Sequence, residues 1–164
     1  MKHLDDLLLL GDPRLYQVCE PVTEDDKPFI DEWVRDLHNV MEEIRAKYNF
    51  GRGIAAPQLG IMKRLFYLNV TEPQVIINPE ITWTSDEQFT LWDDCMSFPN
   101  LLVQVNRYKS LKIKFLNRIF EPQEWLIEEP KMAELVQHEY DHLDGVLCTI
   151  RAIDEKSFRW RTKK

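Results

Sequence analysis

His138-Glu139-Tyr140-Asp141-His142 carries the densest chemistry in this 164-residue sequence. Two histidines four residues apart on a helix lie one turn apart and about 40° around its axis, so both imidazoles can reach one metal ion. Glu139 then sits on an adjoining face, close enough to touch a water held by that ion. The flanking residues predict such a helix. Pro130 suits a first turn, Met132, Leu135, Val136, Tyr140 and Leu143 are apolar, and Gly145 is placed to end it. Only four histidines occur, at 3, 38, 138 and 142, so two of them flanking a glutamate is an unusual pattern for a helix face that is merely polar.

Upstream, a second helix is predicted over 29–48. Phe29, Ile30, Trp33, Val34, Leu37, Val40, Met41, Ile44 and Tyr48 keep the three-and-four spacing of an amphipathic helix. Thr23 with Asp26 is a candidate cap at its start, and Asn49 with Gly51 supplies the stop. Between the helices lie short β-rich runs at 65–70, 75–77, 81–84, 89–92, 101–105, 111–116 and 124–127, punctuated by Asn78-Pro79 and Phe98-Pro99-Asn100. Strict alternation in Leu111-Lys112-Ile113-Lys114-Phe115 marks a half-buried antiparallel strand. Residues 1–22 read as an irregular arm, with a turn at Gly11-Asp12-Pro13. Helix, many strands, helix is the order of an α+β fold, with antiparallel sheets packed around the C-terminal helix. Neither a linker nor a repeat divides the chain, so residues 1–164 are expected to form a single domain.

Composition narrows the function. Hydrophobic residues at 44% and charged residues at 30% support a packed core rather than disorder. The longest early apolar run, 7–10, is far short of a membrane span, and Asp5 and Asp6 stand where a signal peptide would be basic. A cytoplasmic protein without membrane association is expected. The odd set Cys19, Cys95 and Cys148 argues against a disulfide framework. A net charge of -7 argues against DNA binding by general attraction.

Two histidines leave a catalytic metal site one protein ligand short. Zinc proteases of the extended type place a glycine and then a third ligand at spacings that here hold Gly145 and Cys148. Cys95, in Asp93-Asp94-Cys95-Met96-Ser97, is the competing thiolate, and spacing alone does not choose between the two. A further segment, Gly51-Arg52-Gly53-Ile54-Ala55-Ala56-Pro57-Gln58, permits close backbone approach to a bound molecule through its glycines, and it ends on a neutral amide able to donate to an oxyanion. It follows a helix and precedes a strand, the wrong order for a dinucleotide site.

Together, GRGIAAPQ at 51–58, DDCMS at 93–97 and HEYDH at 138–142 resemble the three motifs of the peptide deformylase family, in the family's order. Asp12-Pro13-Arg14-Leu15, Ile77-Asn78-Pro79 and Leu143-Asp144-Gly145 are similar to the family as well, so the resemblance covers nearly the whole chain. It implies that Cys95, His138 and His142 bind a divalent metal, usually Fe(II), with zinc, nickel or cobalt able to replace it. It implies that Glu139 is the general base and later the acid, and that Gln58 and the backbone N–H of Met96 form an oxyanion hole. Backbone groups around Gly53 would pair with the substrate as a strand does. The implied reaction is removal of the formyl group from the N-terminal formyl-methionine of newly made peptides, with release of formate. A divalent ion lowers the pKa of a water it holds toward ~7, which suits such a hydrolysis. A formyl carbon bears only hydrogen, so a narrow pocket admits it and rejects acetyl by overlap.

The second motif departs from the family, which has Glu-Gly where this chain has Asp93-Asp94. Asp93 keeps the charge on a shorter arm, and a looser ion pair is expected there. Asp94 puts a carboxylate beside the metal and the substrate groove, and Arg52 is more polar than the aliphatic residue common in the first motif. An Asp94–Arg52 charge pair across the groove is expected, narrowing the accepted peptides. Arg107 occupies a position where the family holds a substrate-facing arginine. These departures leave two alternatives open: an amidohydrolase for another small formylated or acylated compound, or a catalytically weak metal-binding relative. The basic run 107–118 and the tail 151–164, with six basic and two acidic side chains, are ordinary solvated faces by pattern. A nascent-chain substrate would allow the tail a weak ribosome association.

Overall fold

A computed structural model describes residues 1–162. Helix α1, Ile30–Tyr48, buries Ile30, Val34, Leu37, Val40, Met41 and Ile44 along one stripe, as the spacing predicts. It ends at Asn49, whose left-handed backbone (φ 59°) directs its N–H to the Arg45 carbonyl. Its start differs from expectation. Thr23 N donates to the Asp26 carboxylate at 2.8 Å, but this box opens a separate 3-10 turn, Glu24–Phe29. Pro28 lacks an N–H, so regular α-helical bonding begins only after it.

Eight strands follow in two antiparallel sheets. The larger has the order β1 (Gly53–Ala55), β2 (Leu65–Asn69), β3 (Pro73–Thr84), β6 (Leu111–Leu116), β7 (Pro122–Ile127). The smaller has β4 (Gln88–Asp93), β5 (Leu101–Tyr108) and β8 (Phe158–Trp160). The runs expected at 75–77 and 81–84 are one strand, β3, with Asn78-Pro79 inside it. Asn78 takes φ 50°, and the register against β6 shifts between Ile77 and Glu80. Its side-chain amide accepts from Val22 N and donates to Val22 O, so the irregularity ties the N-terminal arm to the sheet. In β6, Leu111, Ile113 and Phe115 are buried while Lys112 and Lys114 face water, the predicted alternation. Strands β1 and β8, three residues each, carry too little pattern to be read from sequence.

The larger sheet is covered on both faces. Leu65, Tyr67, Val75 and Ile77 pack toward α1, and Phe66, Leu68 and Ile76 pack toward the second helix, α2 (Pro130–Leu143). Each such side chain contributes roughly 1.5–3 kcal/mol by leaving water. Helix α2 also meets β5 of the smaller sheet, so it runs between the sheets, and ten of its fourteen residues are buried. A helix covered on nearly all sides must satisfy its polar groups internally. Gln137 does so at the end of β5, accepting from Tyr108 N and donating to Tyr108 O. A third cluster, including Leu8, Leu15, Phe98, Val103, Val105 and Leu147, joins the N-terminal arm to the smaller sheet. Among the described residues no helix is long and apolar enough to cross a membrane.

Candidate metal centre and its pocket

Helix α2 presents both histidines inward. His138 Nε2 and His142 Nε2 stand 3.3 Å apart, and Cys95 Sγ lies 3.6 Å from His142 Nε2. All three donors lie within 4.8 Å of one another, and all three residues are buried. A tetrahedral ion bound by two imidazoles at ~2.0–2.1 Å and a thiolate at ~2.3 Å sets its donors about 3.3 to 3.6 Å apart, so this trio fits one. Burial, and then the neighbouring His138, hold His142 well below the usual histidine range, which keeps a lone pair available for an ion. Cys148 is not part of this trio. Its donor groups with Asp93 and His138 rather than with both histidines, and burial pushes its thiol well up. The choice that spacing left open thus falls, in geometry, on Cys95.

Asp93 orients the cluster. Its Oδ2 accepts from His138 Nδ1 at 2.9 Å, which leaves Nε2 of that ring to face the centre. Arg107 Nη2 donates to the same oxygen at 2.9 Å, and Arg107 Nη1 donates to Asp141 Oδ2 at 2.7 Å. Arg151 closes the chain with two bonds to Asp141. Burial alone would raise the Asp93 carboxyl, but the adjacent His138 ring and Arg107 guanidinium bring it down to about 2. Two expectations are therefore corrected. The shorter arm of Asp93 does not loosen its ion pair, because the carboxylate bonds both partners. Arg107 does not face substrate: it is 2% exposed and held between Asp93 and Asp141, beneath the metal donors.

Above the donors opens a cavity of about 250 Å³. Gln58, Met96, Glu139 and Gly53 all border it, as do Arg52 and Asp94. Gln58 belongs to a short 3-10 turn after β1 and is fully buried. Its Oε1 accepts from the Ala55 N–H at 2.9 Å, which fixes the amide so that Nε2 points toward Ser97 Oγ (3.1 Å) and Cys95 Sγ (3.6 Å). A donor is thus aimed beside the Cys95 sulfur. Glu139 is buried, with no partner for Oε2 among the described residues, and burial pushes its carboxyl up to about 7. A carboxyl with that affinity can both take and return a proton near neutrality. Gly53 makes this closeness possible, since a Cβ there would stand 3.2 Å from Glu139 Cγ and 2.8 Å from Leu68 Cδ2. Strand β1 is also an edge strand, paired only with β2.

The expected Asp94–Arg52 pair is absent. Arg52 instead reaches Glu134 of α2 and the Lys131 carbonyl, while Asp94 accepts from Arg161 Nη2 at 2.8 Å. The reason is reach: α2 offers Arg52 a carboxylate of low exposure, and strand β8 carries Arg161 to the other side of the pocket. Sequence reasoning passed over Ser97, Glu134 and Arg161. Glu134 carried a signal, because it stands one turn before His138, on the helix face that carries both histidines. Of the tail that was read as a solvated basic face, Lys163 and Lys164 lie outside the described residues.

The chain is similar to known proteins over most of its length. The family described as polypeptide deformylase matches residues 4–158. A peptide deformylase of Thermotoga maritima is 36% identical over 158 residues, covering 94% of this chain and 91% of that protein. One of Natranaerobius thermophilus is 38% identical over 151 residues, 90% of each. A crystal structure of the Thermotoga maritima peptide deformylase aligns with a TM-score of 0.79 at 35% identity, covering 90% of this chain and 97% of that one.

Proposed function

Because this chain belongs to the polypeptide deformylase family, we propose that Cys95, His138 and His142 hold its metal ion, that Glu139, Gln58 and the Met96 backbone N–H carry the chemistry, and that β1 receives the peptide. The protein is a metal-dependent hydrolase that removes the N-formyl group of nascent peptides. The convergence of one thiolate and two imidazoles at 3.3 and 3.6 Å beside a buried glutamate is the observation that carries the residue assignment.

When bound, the ion supplies Lewis acidity and lowers the pKa of water at its open position. Glu139 takes the proton of the attacking water at its carboxylate and returns it to the peptide nitrogen as the carbon–nitrogen bond breaks, so formate and a free amine leave. Gln58 Nε2 turns from Ser97 and Cys95 to the developing oxyanion, joined by the Met96 N–H. Asp93, braced by Arg107, keeps His138 in the tautomer that offers Nε2. The free edge of β1 hydrogen-bonds the extended peptide, with Gly53 leaving room for it against Glu139. Fe(II) is the ion assigned to this site; the Cys95 thiolate would partly neutralise its charge and leave the site sensitive to oxidation, and zinc, nickel or cobalt also fit such donors. The cytoplasm, where new chains emerge, is the corresponding location, with ribosome contact through the basic tail.

Formate release from formyl-Met-Ala-Ser, measured anaerobically with Fe(II) beside acetylated and other formylated compounds, tests this reading. Release confined to formyl-methionyl peptides is expected. No formate from any peptide by metal-loaded protein would overturn it, and release only from another formylated compound would establish the amidohydrolase alternative that the polar Arg52–Glu134 wall keeps in view.

A further inference from the structure

Arg161 follows strand β8, whose pairing with β5 delivers it to the outer lip of the cavity. There it makes four contacts. Its backbone N–H donates to the Asn100 carbonyl at 2.7 Å, Nε donates to the Pro99 carbonyl at 3.0 Å, and Nη2 donates to Asp94 Oδ2 at 2.8 Å. Its guanidinium also lies over the Phe50 ring, 4.2 Å from the centroid. Asp94 and Phe50 both line the cavity, on opposite segments: one directly before Cys95, the other directly before the Gly51-Arg52-Gly53 segment that leads into β1. One side chain from the far end of the chain therefore spans the two lips of the pocket, stacked on one and ion-paired to the other.

We propose that Arg161 is a specificity-determining residue, which masks the Asp94 carboxylate at the pocket mouth and so sets how the enzyme treats charged residues following the formylated one. The inference rests on the proposed use of this cavity for the formyl-peptide terminus. A peptide whose first residue lies in the cavity must leave it past this rim, so its next side chains meet Asp94 and Arg161 rather than the metal donors. With the pair closed, the rim presents little net charge. Asp94 is 36% exposed even in the pair, so with Arg161 removed its carboxylate faces the groove without that partner and attracts a basic substrate side chain while repelling an acidic one. Removing Asp94 instead exposes the lone guanidinium, with the opposite preference.

The test compares kcat/KM for formyl-Met-Lys-Ser and formyl-Met-Glu-Ser with metal-loaded protein. In Arg161→Ala the Lys-to-Glu ratio rises about two- to fivefold, the range of a partly exposed charge pair. In Asp94→Asn it falls by a similar factor. The double variant returns to the ratio of the unaltered chain, Arg161→Lys stays close to it, and the single-variant shifts shrink at high salt. A flat ratio in both single variants, or an Arg161→Ala shift that persists once Asp94 is also replaced, overturns the proposal. Should Arg161→Ala fail to fold, Asp94→Asn and Arg161→Lys carry the same comparison. Formate release from formyl-Met-Ala-Ser by the unaltered chain separates the cases: without it the underlying reading fails, and with it a flat ratio removes the rim assignment alone.

Discussion

The proposed metal-donor cluster and the pocket rim both depend on arginine–carboxylate pairs, yet the pairs differ in kind. Beneath the donors, Arg107 and Asp93 are 2% and 5% exposed, and every bond fixes the position of a histidine or of the strand that leads to Cys95. At the rim, Arg52 is 40% exposed, Asp94 36% and Arg161 27%. Water screens the Asp94–Arg161 pair, which contributes at most about 1 kcal/mol, whereas removing one partner of a buried pair costs about 3–5 kcal/mol by stranding the other charge. The same chemical pairing thus holds geometry in the dry layer and adjusts selectivity in the wet one.

Substitutions can break this contrast in graded steps. Glu139→Gln is expected to keep the metal and lose two to four orders of magnitude in turnover, since proton transfer by a placed side chain contributes about 10²–10⁴-fold. Metal content by elemental analysis, beside formate release, checks it; normal turnover would dismiss Glu139 as the base. Gln58→Ala removes one oxyanion donor, and kcat should fall about 10²–10³-fold, with Ser97 left as a bystander. A change confined to KM would show that Gln58 only binds the ground state. Asp93→Asn should lower metal affinity about 10–100-fold by releasing His138 from its tautomer, and should also lower the melting temperature because Arg107 loses a buried partner. Competition with a chelator measures the first effect and thermal unfolding the second.

A remote carboxylate provides the baseline for both regions. Burial would raise the Asp26 carboxyl, but the Thr23 backbone N–H and Lys63 outweigh it and hold the group below its ordinary value of 3.8. Its stabilisation is therefore present above that value and lost as pH falls through the lower folded one. Asp26→Asn should flatten this acid limb by no more than about 1 kcal/mol, allowing for solvent screening, with activity at neutral pH unchanged. Chemical denaturation at several acidic pH values measures it, and an unchanged limb would deny the carboxylate any role there.

Much of the fold was legible because its signals are local. Helix α1 needs only its three-and-four spacing, β6 only its alternation, and His138 and His142 share a helix face whatever else the chain does. Two local signals misled: the Thr23–Asp26 box caps a 3-10 turn, and Asn78-Pro79 shifts the register of β3 without ending it, since Asn78 tolerates a positive φ and finds bonds at Val22. The motifs themselves named Cys95, Gln58 and Glu139 as a set, but apart from His138, which pairs with Asp93, they do not contain the partners of the charges they carry. Arg52 and Glu134 are 82 residues apart, Asp94 and Arg161 are 67 apart, and which cation meets which carboxylate follows from how α2 and β8 pack against the pocket. The amino-acid sequence by itself determined both helices, most of the strands and the three motifs, because each is written within a few residues. Only the tertiary structure decided that Arg107 is buried between Asp93 and Asp141, that Cys95 rather than Cys148 stands with both histidines, and that Arg161, just after β8, meets Asp94, because such contacts form by distance in space, and the chain alone does not specify that distance.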